Sequence, residues 1–156
     1  MLNAAVTPVA IGESDVGLPA NWRIGPSTVA AADPLNLQLA FTPSGRGLRT
    51  FSPAQLRGMP QPGGNLLLTW LRRTRASSGD SRVLVEVPLG ETNESYDLEI
   101  LNGTALLRTV SGLATPSFLY TTAMMVADFG GPVTALRFRV WQIGALGRGA
   151  AAEALV

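Results

Sequence analysis

The sequence predicts an all-β sandwich preceded by an extended N-terminal β arm, and three observations carry that expectation. Asn65 to Trp70, Ser95 to Ile100 and Leu136 to Ile143 alternate apolar and polar residues, the period of two with which a strand buries one face and wets the other. Turn formers are dense, since 17 Gly and 11 Pro are scattered without a period; this suits short strands and tight turns and disfavours long helices. The chain has 156 residues, 46% of them hydrophobic, enough for one self-sufficient core and an arm.

Taken in order, Ala5 to Ile11 is a short apolar run carrying Pro8, which fits an edge strand or extended arm because proline cannot donate to a central ladder. Gly17 to Pro34 reads mostly as loop, with Pro19, Gly25, Pro26 and Pro34 interrupting any ladder. Leu35, Leu37, Leu39 and Phe41 then alternate with Asn36, Gln38 and Ala40, the pattern of a half-buried strand. Two strands cannot enclose a core. The arm, Met1 to Thr50, is therefore expected to pack on the following domain or on a partner, with Thr42 to Arg49 as a turn-rich linker.

The second unit, Phe51 to Val156, opens with a strand over Gln55 to Met59 and a turn over Pro60 to Gly64. Leu66, Leu68 and Trp70 share one face of the next strand. Leu71 to Glu94 is irregular, with a Ser-Ser-Gly-Asp turn and a β-branched run from Val83 to Val87. Tyr96, Leu98 and Ile100 face one way and Asp97 and Glu99 the other; Asn102-Gly103, both tolerant of positive φ, should turn this strand into Ala105 to Val110. Phe118 and Tyr120 mark a strand, Thr122 to Asp128 one or two helical turns, and Leu136, Phe138 and Val140 the core face of the penultimate strand. A weak final strand runs from Arg148 towards Val156. About seven strands with turns every 8 to 12 residues is the spacing of an immunoglobulin-like sandwich.

Composition narrows the chemistry. There is no histidine and no cysteine, which removes disulfides, thiolate chemistry and the common zinc sites. No metal, cofactor or catalytic residue is assigned, and an enzyme is not expected. All 12 basic residues are Arg, set against 11 acids for a net charge of +1, a balance without long-range attraction for nucleic acid. No run approaches the roughly 20 apolar residues of a membrane helix, and Met1 to Ile11 lacks a basic signal-peptide start.

The candidate contact residues are each open to a plainer reading. Arg72, Arg73 and Arg75 offer three close guanidiniums to phosphate or acidic sugars; alternatively they begin a solvated loop and pair with Glu91, Glu94 or Asp80. Trp22 beside Arg23 could stack on a sugar or partner, or Trp22 could anchor the arm to the sandwich. Trp141 and Ile143 lie on the outward face of the penultimate strand with Arg137 and Arg139. An apolar pair there calls for a covering surface, either the arm or a neighbouring subunit. Asp97 and Glu99 have the spacing of a carboxylate pair, but a charged ladder facing Arg137 and Arg139 accounts for them more simply. Asp128-Phe129-Gly130 reads as a turn, with Asp128 capping and Gly130 and Gly131 supplying unusual φ. Gly147-Arg148-Gly149 reads as a hairpin bend.

Leu66-x-Leu68-x-Trp70, Tyr96-Asp97-Leu98-Glu99-Ile100 and Leu136-x-Phe138-x-Val140 resemble the core strands of fibronectin type III domains. The chain departs at Leu136, where that family often has the tyrosine of a tyrosine corner. Over nearly the whole chain, the ordered strings Pro19 to Pro26, Trp70 to Arg75, Val87 to Glu91 and Ala127 to Pro132 resemble the C-terminal region of the large tail-tip or baseplate hub protein of siphophage-like particles and gene transfer agents. That resemblance implies a structural, adhesive sandwich at the tail tip of a virion or virion-like particle assembled in the bacterial cytoplasm. Its partners would be other hub proteins, in three copies if attached to a trimeric hub, and a host-surface glycan or protein, without nucleic acid or membrane insertion. The family's upstream hub domains have no counterpart after Met1. A free bacterial carbohydrate- or protein-binding sandwich is the alternative.

Overall fold

The computed structural model describes residues 10–26, 28–75 and 87–156. The chain divides into two units, Met1–Leu48 and Arg49–Val156, a division two residues before the one composition suggested.

In the first unit, β1 (Ala20–Ile24) pairs antiparallel with β2 (Leu37–Phe41), Trp22 lying opposite Leu39. The presence of β1 corrects the loop reading of Gly17 to Pro34. Pro19 precedes the strand and Gly25-Pro26 follows it, so the breakers bound the ladder instead of interrupting it. The connection is tied back by side chains: Arg23 donates to the Ala31 carbonyl at 2.8 Å and Asn36 Nδ2 to the Ala30 carbonyl at 2.7 Å. Most of the expected arm strand Ala5 to Ile11 lies outside the described residues; its last two are not in a strand.

The second unit is an all-β sandwich of two antiparallel sheets. Three strands form one sheet in the order β3 (Ala54–Gln61), β4 (Asn65–Leu71), β7 (Ser117–Tyr120). The facing sheet orders β6 (Ala105–Leu113), β5 (Tyr96–Asn102), β8 (Arg137–Gly144), β9 (Gly147–Leu155), with every neighbour antiparallel. These seven strands follow the sequence pattern closely. Differences are confined to ends: β3 runs on through Pro60 and Gln61, and the turn is compressed into Pro62–Gly64, where Gly63 and Gly64 both take φ 76°. Asn102-Gly103 turns β5 into β6 with Gly103 at φ 61°. The β-branched run and the Ser-Ser-Gly-Asp turn between Ala76 and Glu86 lie outside the described residues.

Alternation sends Leu68 and Trp70 of β4, Tyr96, Leu98 and Ile100 of β5, and Phe138 and Val140 of β8 into one interior with Tyr120, Met125 and Leu136. The Trp70 and Tyr96 rings meet edge to face, 5.3 Å between centroids at 74°, the geometry aromatic quadrupoles favour. Leu136 is buried, its N–H and C=O both bonded to Val156 at 2.8 and 2.9 Å.

Between β7 and β8 lies α1 (Thr122–Phe129), a helix because Thr121 caps it, accepting from the Met124 N–H at 3.3 Å, and Gly130 at φ 80° ends it. Asp128 is therefore not the cap that the turn reading assigned, and of the two glycines only Gly130 has positive φ. Thr50 closes the other end of the sandwich. Its hydroxyl donates to the Gln142 carbonyl at 2.6 Å, and its own carbonyl accepts from Ala150 N–H at 3.1 Å.

Candidate interaction surface

Because β5, β8 and β9 are neighbours, their outward residues fall into rows. Glu99 lies opposite Arg139, which lies opposite Glu153; Asp97 lies opposite Trp141. The expected ladder of acids against arginines is present, but its centre is different. Arg148 of β9 reaches across the sheet to donate to Asp97 at 2.7 Å and Glu99 at 2.9 Å, while Arg139 approaches Glu99 only to 3.9 Å. Arg137 and Arg139 instead converge on Glu153, at 3.0 and 2.7 Å. The Asp97 and Glu99 bonds raise the Arg148 pKa further above its usual value. The hydrogen bond from Arg139 lowers that of Glu153.

Trp141 sits inside this charge network. The Arg148 guanidinium lies 4.3 Å from its ring centroid and that of Arg139 5.8 Å, both within cation–π range. The covering surface that an outward tryptophan calls for is thus supplied, at least in part, by its own sheet. Ile143 is half-buried at the end of β8 and lines a hollow of about 220 Å³ with Glu91, Asn93 and Ser95.

The three loop arginines have separate contacts. Arg72 donates to Glu94 at 3.2 Å and to the Val87 carbonyl, and Arg75 donates to Glu91 at 3.2 Å. Arg73 lies over the Phe51 ring at 5.2 Å. Two of the partners, Glu91 and Glu94, are those of the plainer reading, while Asp80 lies outside the described residues. Glu94 also accepts from the Tyr96 hydroxyl at 2.7 Å; burial first, and this bond second, push the Tyr96 pKa up. Through Glu91, Arg75 and Ile143 belong to one end of the sandwich. Trp22 and Arg23 lie in the first unit, where Trp22 lines a cleft with Ile11, Leu18 and Pro43.

One group that sequence reading missed joins the two sheets. Asp128 takes both Arg108 Nε and Nη2 at 2.7 and 2.9 Å and the Tyr120 hydroxyl at 2.7 Å, so β6, β7 and α1 meet at one carboxylate. The Arg108 hydrogen bond holds the Asp128 pKa below its usual value against the opposing effect of desolvation. Tyr120 moves up, mainly through burial.

Among the described residues, no three His, Cys, Asp or Glu side chains gather as a metal site, and no helix is long and apolar enough to cross a membrane. No family model matches the chain, and no curated protein matches it. Among solved structures the chain is similar to domains d3-d4 of the rat CD45 extracellular region, at 12% identity over 100% of this chain and 72% of that one, with a TM-score of 0.47. It is also similar to the fibronectin type-III domain of human fibronectin type III domain containing protein 3, at 16% identity over 69% and 86%, TM-score 0.42. A structure described as a myokine is similar at 12% identity over 69% and 95%, TM-score 0.43.

Proposed function

We propose that the chain is a non-enzymatic structural and adhesive module, a β-sandwich displayed at the tail tip of a phage or gene-transfer-agent particle. The observation that carries the contact role is the state of the acids. Each described carboxylate of the second unit is ion-paired: Glu91 with Arg75, Glu94 with Arg72, Asp97 and Glu99 with Arg148, Asp128 with Arg108, and Glu153 with Arg137 and Arg139. Hydrolysis by carboxylates needs one of them free to exchange a proton with substrate. Here the acids fix the shape of the sandwich, and a fixed shape is what a docking surface requires.

The tail-tip setting is supported by the four ordered sequence strings, which fall on β1, the end of β4, the segment leading to β5, and the end of α1. In this reading neighbouring hub proteins hold the module, in three copies if it stays attached to a trimeric hub, and a host-surface glycan or protein is met at its outer end. Gold-labelled antibody against this chain, applied to particles from the strain that encodes it, should mark the distal end of the tail. Particles that carry no label, with the chain recovered free from the same cells, would overturn the assignment. A glycan array probed with the intact chain would then test the free-module alternative.

A further inference from the structure

We infer that β2 is the pairing edge of a two-fold dimer of this chain. Sheet edges in folded proteins are normally blunted by charge, proline, bulges or brevity, and the other strands here carry such devices. The edge strand β3 contains Pro60 and a register shift; β6 has two register shifts and Gly112 at φ 72°; β7 is only four residues long; β9 is met by Thr50. In the first unit β1 carries Arg23. The exception is β2, Leu-Gln-Leu-Ala-Phe: it has no charge, no proline and no register break, and all five residues are exposed. Among the described residues its only strand neighbour is β1.

The pattern of β2 is also self-complementary. Antiparallel pairing centred on Leu39 places Leu39 against its own copy, Gln38 against Ala40, and Leu37 against Phe41. The face bearing Leu37, Leu39 and Phe41, which are 63%, 47% and 46% exposed, is continued across the two-fold axis with no like charges opposed. Pairing turns a two-stranded sheet, marginal alone, into a four-stranded one with a continuous apolar face. An isologous contact of this kind closes at two copies. It does not depend on the tail-tip role.

Sedimentation velocity of the full chain tests this. The wild type should show a concentration-dependent monomer–dimer equilibrium. Leu39→Glu and Leu39→Lys, each placing like charges on the axis, should each weaken dimerisation at least about tenfold. An equimolar mixture of the two variants should restore the dimer, an outcome that unfolded variants cannot give. A wild type that stays monomeric, forms a trimer, or dimerises unchanged with Leu39→Glu would overturn the inference, as would a mixture that stays monomeric. A trimer would at the same time favour the hub reading, so the two proposals fail separately.

Discussion

Asp128 shows how much one side chain can hold. Its carboxylate is nearly buried, with a relative exposure of 8%, and it accepts two bonds from Arg108 and one from Tyr120. Asp128→Asn preserves the shape and removes the charge, leaving the Arg108 guanidinium and the Tyr120 hydroxyl facing a weaker acceptor. A loss of about 1.5–3 kcal/mol is expected, in line with hydrogen bonds to charged groups. It should be read as a lower urea midpoint at unchanged m-value. None of this was visible in the sequence, because Arg108 and Asp128 are 20 residues apart and meet only when β6 and α1 have been placed. Gly149 is a second such residue. A Cβ there would collide with the Thr50 hydroxyl and carbonyl, so Gly149→Ala should destabilise by about 1–3 kcal/mol through overpacking, measured in the same titration. Nothing in the Gly-Arg-Gly string announces that constraint, since it comes from a residue nearly a hundred positions upstream.

Elements were legible where one face is buried and the other wet. Leu66-Leu68-Trp70, Tyr96-Leu98-Ile100 and Leu136-Phe138-Val140 alternate because they line one core, so their period of two survives in the sequence. Two strands escaped or nearly escaped. The short β1 was hidden by the prolines and glycine that bound it, and β9, Gly-Arg-Gly-Ala-Ala-Ala-Glu-Ala-Leu, is too poor in large residues to alternate clearly. The contact surface suffered most from that weakness. Trp141 could be placed on the outward face from β8 alone, but Arg148, which covers it, lies in the segment that read as a bend. The β9 register therefore makes a direct prediction. A double-mutant cycle of Arg148→Ala with Asp97→Ala should give a coupling of about 0.2–1 kcal/mol, and the cycle with Glu99→Ala a similar one. Arg148 is 38% exposed, so both couplings should shrink as salt is added. Couplings of zero at low salt would show that Arg148 is held by Trp141 alone.

For the molecule as a whole, the composition that leaves out histidine and cysteine also shapes the response to pH. With no histidine and no cysteine, no side chain of ordinary pKa titrates between about pH 5 and pH 9. The shifted groups lie outside that window. The folded pKa of Asp128 is lowered by its Arg108 bond. The unfolded chain therefore takes up its proton first, so this contribution is present above the ordinary carboxylate pKa of about 4 and is lost as pH falls through the folded value. Tyr96 and Tyr120 are shifted upward, chiefly by burial. Here the folded state retains the proton longer, so their contribution is intact below the ordinary tyrosine value of 10.0 and is lost as pH rises beyond it. The melting temperature should accordingly form a flat plateau across neutral pH with a shoulder at each end. Asp128→Asn should reduce the acid shoulder and Tyr120→Phe the alkaline one, and because the two side chains share a hydrogen bond each substitution should also lessen the opposite shoulder. A step in melting temperature between about pH 6 and pH 8 would contradict this picture, because the chain has no histidine.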